Sequence, residues 1–369
     1  MISRRMRVKD LAQILKAGIT SSGLAANSPV KSARELAEQY GTSTLTANRA
    51  LSLLAEEGLV YRVRGSGSFV APRNANGKTL RIGLAFPLPE GDKASIDTAF
   101  SIYPKAISSD LRAEGHETVN LSYYDLLDSE YVKEHVAKLD GIILSKSCID
   151  NKTFPLLEET QLNIVAIQHD SPTHYPCHQV IPDLRIGFKK AMKHLLSQGF
   201  SKIHITSCNP GEHHKARIEL IYLIADELGL SRDKIELITA QRPIGDLGRM
   251  SGQEMGRKLL ERIKEPFAIF SLSDFTSFGI MDVILEKKLK PGEDVALVSF
   301  DNLEGFGLMP FGKPVISSVT NPKRQITAEA IKLLLSKIEN NDGYTDIKRI
   351  PTEFIPRESS IRMKSKEAE

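Results

Sequence analysis

Past residue 80 the apolar positions fall into short, nearly unbroken runs separated by stretches with helical spacing. The runs RIGLAF, DGIILS, NIVAIQ, KIHIT, IELITA, FAIFSL and VALVSF predict strands, and helices are predicted over 102–113, 187–198, 215–228, 252–263, 278–287 and 323–338. Strands apolar on both faces, alternating with amphipathic helices, belong to parallel sheets covered on each side, so the expected class for this region is α/β.

Before residue 72 the pattern is different. Residues 33–40 put Leu36, Ala37 and Tyr40 on one face of a short helix with Ser32 as its cap, and Gly41 breaks it. A second helix follows in TSTLTANRALSLLAEEG, capped by Ser43 and stopped by Gly58, with Leu45, Ala50, Leu51, Leu53 and Leu54 expected on its core face. Two helices joined by a tight glycine turn are a helix-turn-helix, whose second helix enters the major groove of DNA. Thr44, Thr46, Asn48 and Arg49 face away from the core and have the polarity to meet phosphates and base edges.

The segment RVRGSGSFV comes next. A dinucleotide loop requires a third glycine where Val70 stands and a helix directly after it, and a Walker loop requires Gly-Lys-Ser/Thr; the chain has neither here. The fitting alternative is a two-strand hairpin, the wing of a winged helix. Its Gly65, Ser66 and Gly67 bring backbone N–H groups to a phosphate, and Arg62 and Arg64 supply charge.

Charge divides the same way. Residues 1–73 hold 11 Lys+Arg against 5 Asp+Glu, a net +6, within a chain of net +3, so a basic head precedes a mildly acidic body and a polyanion is the head's expected partner. The three cysteines are widely spaced without a CxxC pair, which supports neither a disulfide framework nor a zinc knuckle. GEHHKAR offers Glu212, His213 and His214, but neighbouring histidines point apart on a helix, and no metal or other cofactor is expected. The opening MISRRMRVKDLAQILKAG lacks the apolar core of a secretory signal, and no run approaches about 18 uninterrupted apolar residues, so a cytoplasmic protein with no membrane contact is expected. A GxSxG elbow is absent, and no enzyme activity is expected.

SARELAEQYGTSTLTANRALSLLAEEGLVYRVRGSGSFV resembles the DNA-binding domain of the GntR family of bacterial transcription regulators. The matching positions are Ser32, Arg34, Glu35, Leu36 and Ala37, then Ser43, Thr46, Ala50 and Leu51, then Gly58, Gly65, Gly67, Phe69 and Val70. Lys31, Thr44 and Asn48 depart from the family's usual proline and two arginines. The resemblance implies DNA contacts at Arg34, Ser43, Thr46 and the wing glycines, and the full expected set is Ser32, Arg34, Ser43, Thr44, Thr46, Asn48, Arg49, Arg64, Gly65, Ser66 and Gly67.

The rest of the chain resembles the periplasmic-binding-protein-like effector domain of LacI-type repressors, carried by VIPDLRIGFKKAMKHLLSQGFSKIHIT, KARIELIYLIADELGL, FAIFSLSDFTSFGIMDVILEKKL, EDVALVSFDN and VISSVTNPKRQITAEAIKLLLSKI. Head and body together resemble the AraR-like subgroup. The implied organisation is a winged helix-turn-helix over 1–72, a linker over 73–80, and a two-lobed effector domain over 81–361, with a disordered tail over 362–369. Lobe 1 is expected at 81–181 and 317–342, lobe 2 at 182–313 and 347–361. The resemblance also implies effector contacts at Asp183, Arg217, Ser273, Asp274, Asp301 and Asn321; for Asp183 and Asp274, helix capping is an equally good reading. Ser273 stands where Asn is usual, and Leu247 where the lactose repressor has an aromatic platform. With no Trp in the chain, stacking on a ring falls to Phe100, Tyr103, Phe275 or Phe306.

The implied function is a ligand-responsive transcription repressor that binds operator DNA as a homodimer, under the control of a small effector in the cleft. A sugar is the leading effector, and a sugar acid, nucleoside or phosphorylated sugar also fits the donor set. The alternative is a sugar-binding solute receptor without a transcriptional role, which the basic head and the lack of a signal peptide disfavour.

Overall fold

The computed structural model spans the 369-residue chain, and the description concerns residues 7–21, 28–56, 59–63, 67–70, 79–87, 102–168, 170–208, 212–243, 245–261, 265–340 and 343–362. Two compact units divide it: residues 1–83 with 107–119, and residues 84–106 with 120–369.

In the first unit, helix α1 (Val8–Ser21) precedes strand β1 (Pro29–Val30), helices α2 (Ala33–Gln39) and α3 (Thr44–Glu56), and strands β2 (Val60–Val63) and β3 (Gly67–Val70). The three strands form one antiparallel sheet in the order β1-β3-β2, with Pro29 opposite Phe69 and Val60 opposite Val70. Leu11, Leu15, Leu36, Ala47, Ala50, Leu51, Leu54, Val60 and Val70 close a common core. The buried set on α3 is 47, 50, 51 and 54, one helical stripe. This corrects the expectation for Leu45, which lies two residues from Ala47, on the opposite side of the helix, and is 62% exposed.

Beyond residue 80 come β4 (Arg81–Ala85), α4 (Ile102–Ala113), β5 (Glu117–Leu121), β6 (Gly141–Ser145), β7 (Asn163–Ile167) and β8 (His178–Asp183). Next are α5 (Leu184–Ser197), β9 (Ile203–Ser207), α6 (Glu212–Glu227), β10 (Ile235–Thr239), α7 (Arg249–Leu260), β11 (Phe267–Ser271), α8 (Asp274–Glu286) and β12 (Val295–Asp301). The chain then runs through β13 (Ser317–Thr320), α9 (Lys323–Glu339), β14 (Ile347–Pro351) and β15 (Phe354–Ile355). One six-stranded sheet has the order β14-β8-β7-β6-β4-β5 and the other β10-β9-β11-β12-β13-β15. Every residue of β6, β9 and β11 is buried, as expected of central strands covered on both faces, whereas β10 and β14 are edges and largely exposed.

The chain passes between the two sheets three times: from β8 into α5, from β13 into α9, and from β14 into β15. Ser317–Thr320 therefore belongs to the second sheet and Ile347–Pro351 to the first, which shifts these crossings by a few residues from the expected lobe limits at 317 and 347. Thr352 ties two of the crossings together: its hydroxyl donates to the Asp183 carbonyl at 2.7 Å and accepts from the Gly187 N–H at 3.1 Å.

Candidate functional site

The outward surface of the head is built by caps. Ser32 and Glu35 form a reciprocal capping box at the start of α2: the Glu35 N–H donates to Ser32 Oγ at 3.3 Å and the Ser32 N–H to Glu35 Oε2 at 2.7 Å. Ser43 Oγ accepts the Thr46 N–H at 3.1 Å and shares a 2.8 Å hydroxyl contact with Thr46, which sets the first turn of α3. Arg34, Thr44 and Arg49 are exposed. Asn48 is half-buried because its Oδ1 accepts from Arg62 on β2 at 2.8 Å, a tie between the second helix and the wing strand. Gly67 has φ 118, a conformation that favours glycine, and Tyr61 stacks on Phe69 at 5.5 Å across the hairpin. Arg64, Gly65 and Ser66 lie outside the described residues.

The second candidate site is a cavity of about 410 Å3 at the carboxyl ends of the strands, the place where open α/β sheets bind ligands. Ser145 comes from the end of β6, Asp170 from beyond β7, Ser273 from beyond β11, Asp301 from the end of β12 and Asn321 from beyond β13. At its centre Arg217, on α6, donates from Nε to Asp170 at 2.7 Å and from an η nitrogen to the Leu272 carbonyl at 2.6 Å, while its guanidinium lies 4.1 Å from the Phe300 ring centre. Burial opposes its charge, but Asp170 and Asp301 outweigh this and hold the guanidinium above its usual pKa. Tyr103 donates to Asn321 Oδ1 at 3.2 Å, and Asn321 donates to Asp301 Oδ1 at 3.2 Å. Burial, then the charges of Asp301 and Asp170, push the Tyr103 phenol up, so it remains a neutral donor. The result is a row of alternating donors and acceptors suited to hydroxyl groups.

Asp301 is presented by strained backbone. It has φ 111 and Asn302 has φ 54, conformations that cost non-glycine residues about 1–3 kcal/mol each. The strain is held by the Asn302 N–H donating to Ser318 Oγ at 3.0 Å and by Arg357 donating to Asn302 Oδ1 at 2.7 Å.

Of the six expected effector contacts, Arg217, Ser273, Asp301 and Asn321 line this cavity and Asp183 and Asp274 do not. Asp183 caps α5, accepting the Arg185 N–H at 3.2 Å. Asp274 is 1% exposed and accepts the Leu303 N–H and, at 3.1 Å, the Ser318 hydroxyl, so it anchors the loop after β12. Burial first, and the charge of Asp301 second, raise Asp274 from 3.8 to about 7. Between those two values the folded chain holds a proton that the unfolded chain has released. Stability is therefore predicted to fall as pH rises through that window, by a total on the order of 4 kcal/mol above pH 7. Asp274→Asn should flatten this fall when urea unfolding is compared at pH 5 and pH 8, and an unchanged slope would assign it to another group.

Residues 7–70 match the family of bacterial regulatory proteins, gntR family, and residues 192–360 match the periplasmic binding protein-like domain. The chain carries a gntR-family head and a periplasmic binding protein-like domain. It is 26% identical over 96% of both chains to an arabinose metabolism transcriptional repressor from Halalkalibacterium halodurans. It is 24% identical to the HTH-type transcriptional repressor PurR of Aliivibrio salmonicida over 60% of its own length and 65% of that protein, so it spans less than two thirds of this relative. Among solved structures, a LacI family transcriptional regulator from Enterococcus faecium with bound ribose matches with TM-score 0.62 and 22% identity, covering 77% of this chain and all of that one. The lac repressor dimer bound to operator and an anti-inducer matches with TM-score 0.62 and 18% identity over 78% and 96% of the two chains. These likenesses place the gntR-family head before a two-sheet domain of the LacI-type fold.

Sequence reasoning did not find Asp170, Arg242 or Lys323 and weighed His214 only as a metal ligand; all four line the cavity. Of the aromatic candidates, Tyr103 and Phe275 line it with Leu247, Phe306 lies beneath the Lys323 ammonium, and Phe100 is outside the described residues. In the head it missed Leu45, whose exposed side chain beside Thr44 on the first turn of α3 has the chemistry to meet a thymine methyl. Among the described residues no helix is long and apolar enough to cross a membrane.

Proposed function

We propose that this protein is a cytoplasmic transcription repressor that binds operator DNA as a homodimer and is controlled by a small sugar or sugar derivative in the cavity around Arg217. The observation that carries the reading is the pairing, within one chain, of a capped and outward-polar α3 with a cavity whose Arg217, Asp170, Asp301, Asn321 and Tyr103 alternate as donors and acceptors. The repressor names of the relatives and the ribose in one structural neighbour point the same way. The head would span 1–72 and the effector domain 81–361. Ser32, Arg34, Ser43, Thr44, Thr46, Asn48, Arg49 and the wing residues Arg64, Gly65, Ser66 and Gly67 would contact DNA, joined by Leu45. Dimerisation supplies two heads for half-sites about one helical turn apart.

Gel shift on the DNA upstream of the protein's own gene tests the reading; binding indifferent to sequence at physiological salt would refute it. Arg64→Ala is expected to weaken binding to every sequence and to reduce the salt slope by roughly one. An unchanged slope in titrations at several salt concentrations would remove the phosphate contact from the wing.

A further inference from the structure

The charges lining the cavity do not balance. Among the described residues, Arg217, Arg242 and Lys323 line it together with two carboxylates, Asp170 and Asp301. Arg217 takes up Asp170 at 2.7 Å. Lys323 is a different case: it is 6% exposed, and among the described residues its ammonium has neither a carboxylate within ion-pair distance nor a hydrogen-bond acceptor. Its one neighbour of note is the Phe306 ring, whose centre is 5.6 Å away. Lys323 is also the first residue of α9, a 17-residue helix with no side-chain cap, so the positive end of the helix dipole adds to its charge. Arg242 is exposed on the same cavity and likewise has no ion-pair partner among the described residues. A helix start and two cations on one cavity, neither with an ion-pair partner among the described residues, describe a place that is short of an anion.

We propose that the effector is anionic: a polyhydroxylated molecule whose carboxylate or phosphate group sits against Lys323 at the start of α9, with Arg242 beside the opening. Its hydroxyl groups meet Arg217, Asp170, Asp301 and Asn321. The inference rests on the reading of this cavity as the effector site and adds the charge of the ligand to it. The Phe306 ring lies beneath the ammonium, and the anion supplies the counter-charge on binding.

The test uses the full chain and three matched series: glucose, arabinose and ribose, their sugar acids, and their terminal phosphates. Calorimetric titration and thermal shift are run at constant ionic strength, with acetate and inorganic phosphate as simple anion probes. At least one sugar acid or sugar phosphate is expected to bind about tenfold tighter than its neutral parent. Lys323→Met, which keeps an unbranched apolar side chain at the site, is expected to bring the anion's affinity down to that of its neutral parent in the same variant. The acid and phosphate arms separate the two sources of charge. Equal or tighter binding of the neutral parent, or a ratio that survives Lys323→Met, overturns the inference, as does a melting temperature that no anion raises. Operator binding is scored separately by gel shift, so an effector found to be neutral leaves the regulator reading intact, and sequence-indifferent DNA binding strikes that reading alone.

Discussion

Arg217→Met is expected to abolish the effector response and to lower the stability of the chain. The guanidinium makes two short polar contacts, to Asp170 at 2.7 Å and to the Leu272 carbonyl at 2.6 Å, and lies on the Phe300 ring. Its side chain is 11% exposed and that of Asp170 is 5% exposed, so the substitution strands a buried carboxylate. Breaking a buried pair from one side costs about 3–5 kcal/mol, well above the net worth of the pair itself. The double variant Arg217→Met with Asp170→Asn removes the stranded charge and should recover most of the lost stability. It should not recover affinity for whichever sugar or sugar anion stabilises the wild type, which is expected to fall about 100-fold or more. Denaturant unfolding and calorimetric titration on the same preparations separate the two effects. A stable double variant that still binds that ligand as the wild type does would remove Arg217 from the site.

The two-sheet plan is legible in the sequence because a strand buried on both faces leaves no polar position to obscure it: GIILS and FAIFS are apolar or small throughout and every residue is buried. Helix starts are harder. A glycine at the head of an amphipathic stretch reads as a break, so the predicted helices open at Gly187 and Gly252. Both residues lie inside helices that begin three residues earlier, at Leu184 and Arg249, because the glycines serve close packing between elements. A Cβ on Gly187 would lie 2.5 Å from Val319 Cγ1, a contact that no local pattern contains.

The site divides along the same line. Arg217, Ser273, Asp301 and Asn321 sit in segments whose spacing resembles a known family, and the fold brings all four to one cavity. Asp170 follows a strand in QHDSP, 47 residues before its partner Arg217, and only the sheet order makes them neighbours. Lys323 reads as an ordinary lysine on the first turn of a helix, yet it is 6% exposed, which periodicity does not encode. Asp274 errs in the other direction. The LSDF motif suggested a ligand contact or a cap, but the carboxylate turns inward to the Leu303 N–H and the Ser318 hydroxyl and holds the loop that presents Asp301.

Gly279→Ala is expected to cost about 3 kcal/mol or more, well beyond an ordinary helical glycine replacement. Helices α7 and α8 meet backbone to backbone: a Cβ on Gly279 would stand 1.9 Å from the Arg249 carbonyl oxygen and 2.7 Å from the Gln253 nitrogen, and one on Gly252 would stand 2.1 Å from the Thr276 carbonyl oxygen. Neither obstacle is a flexible side chain, so the helices themselves must part. Parting them pulls on the bidentate Arg249–Asp282 pair, with both contacts at 2.8 Å, and on the 3.0 Å bond from Gln253 to Asp282. It also displaces the start of α8, where Ser273 and Phe275 line the cavity. The variant should therefore lose effector affinity together with stability, whereas Arg217→Met with Asp170→Asn loses affinity while keeping most of its stability. Gly18→Ala is the control: nothing lies within 4 Å of its Cβ, and in the interior of α1 the exchange should stabilise by up to about 1 kcal/mol. Urea unfolding of the two alanine variants side by side measures the difference. Equal stabilities would mean that α7 and α8 do not pack through their glycines.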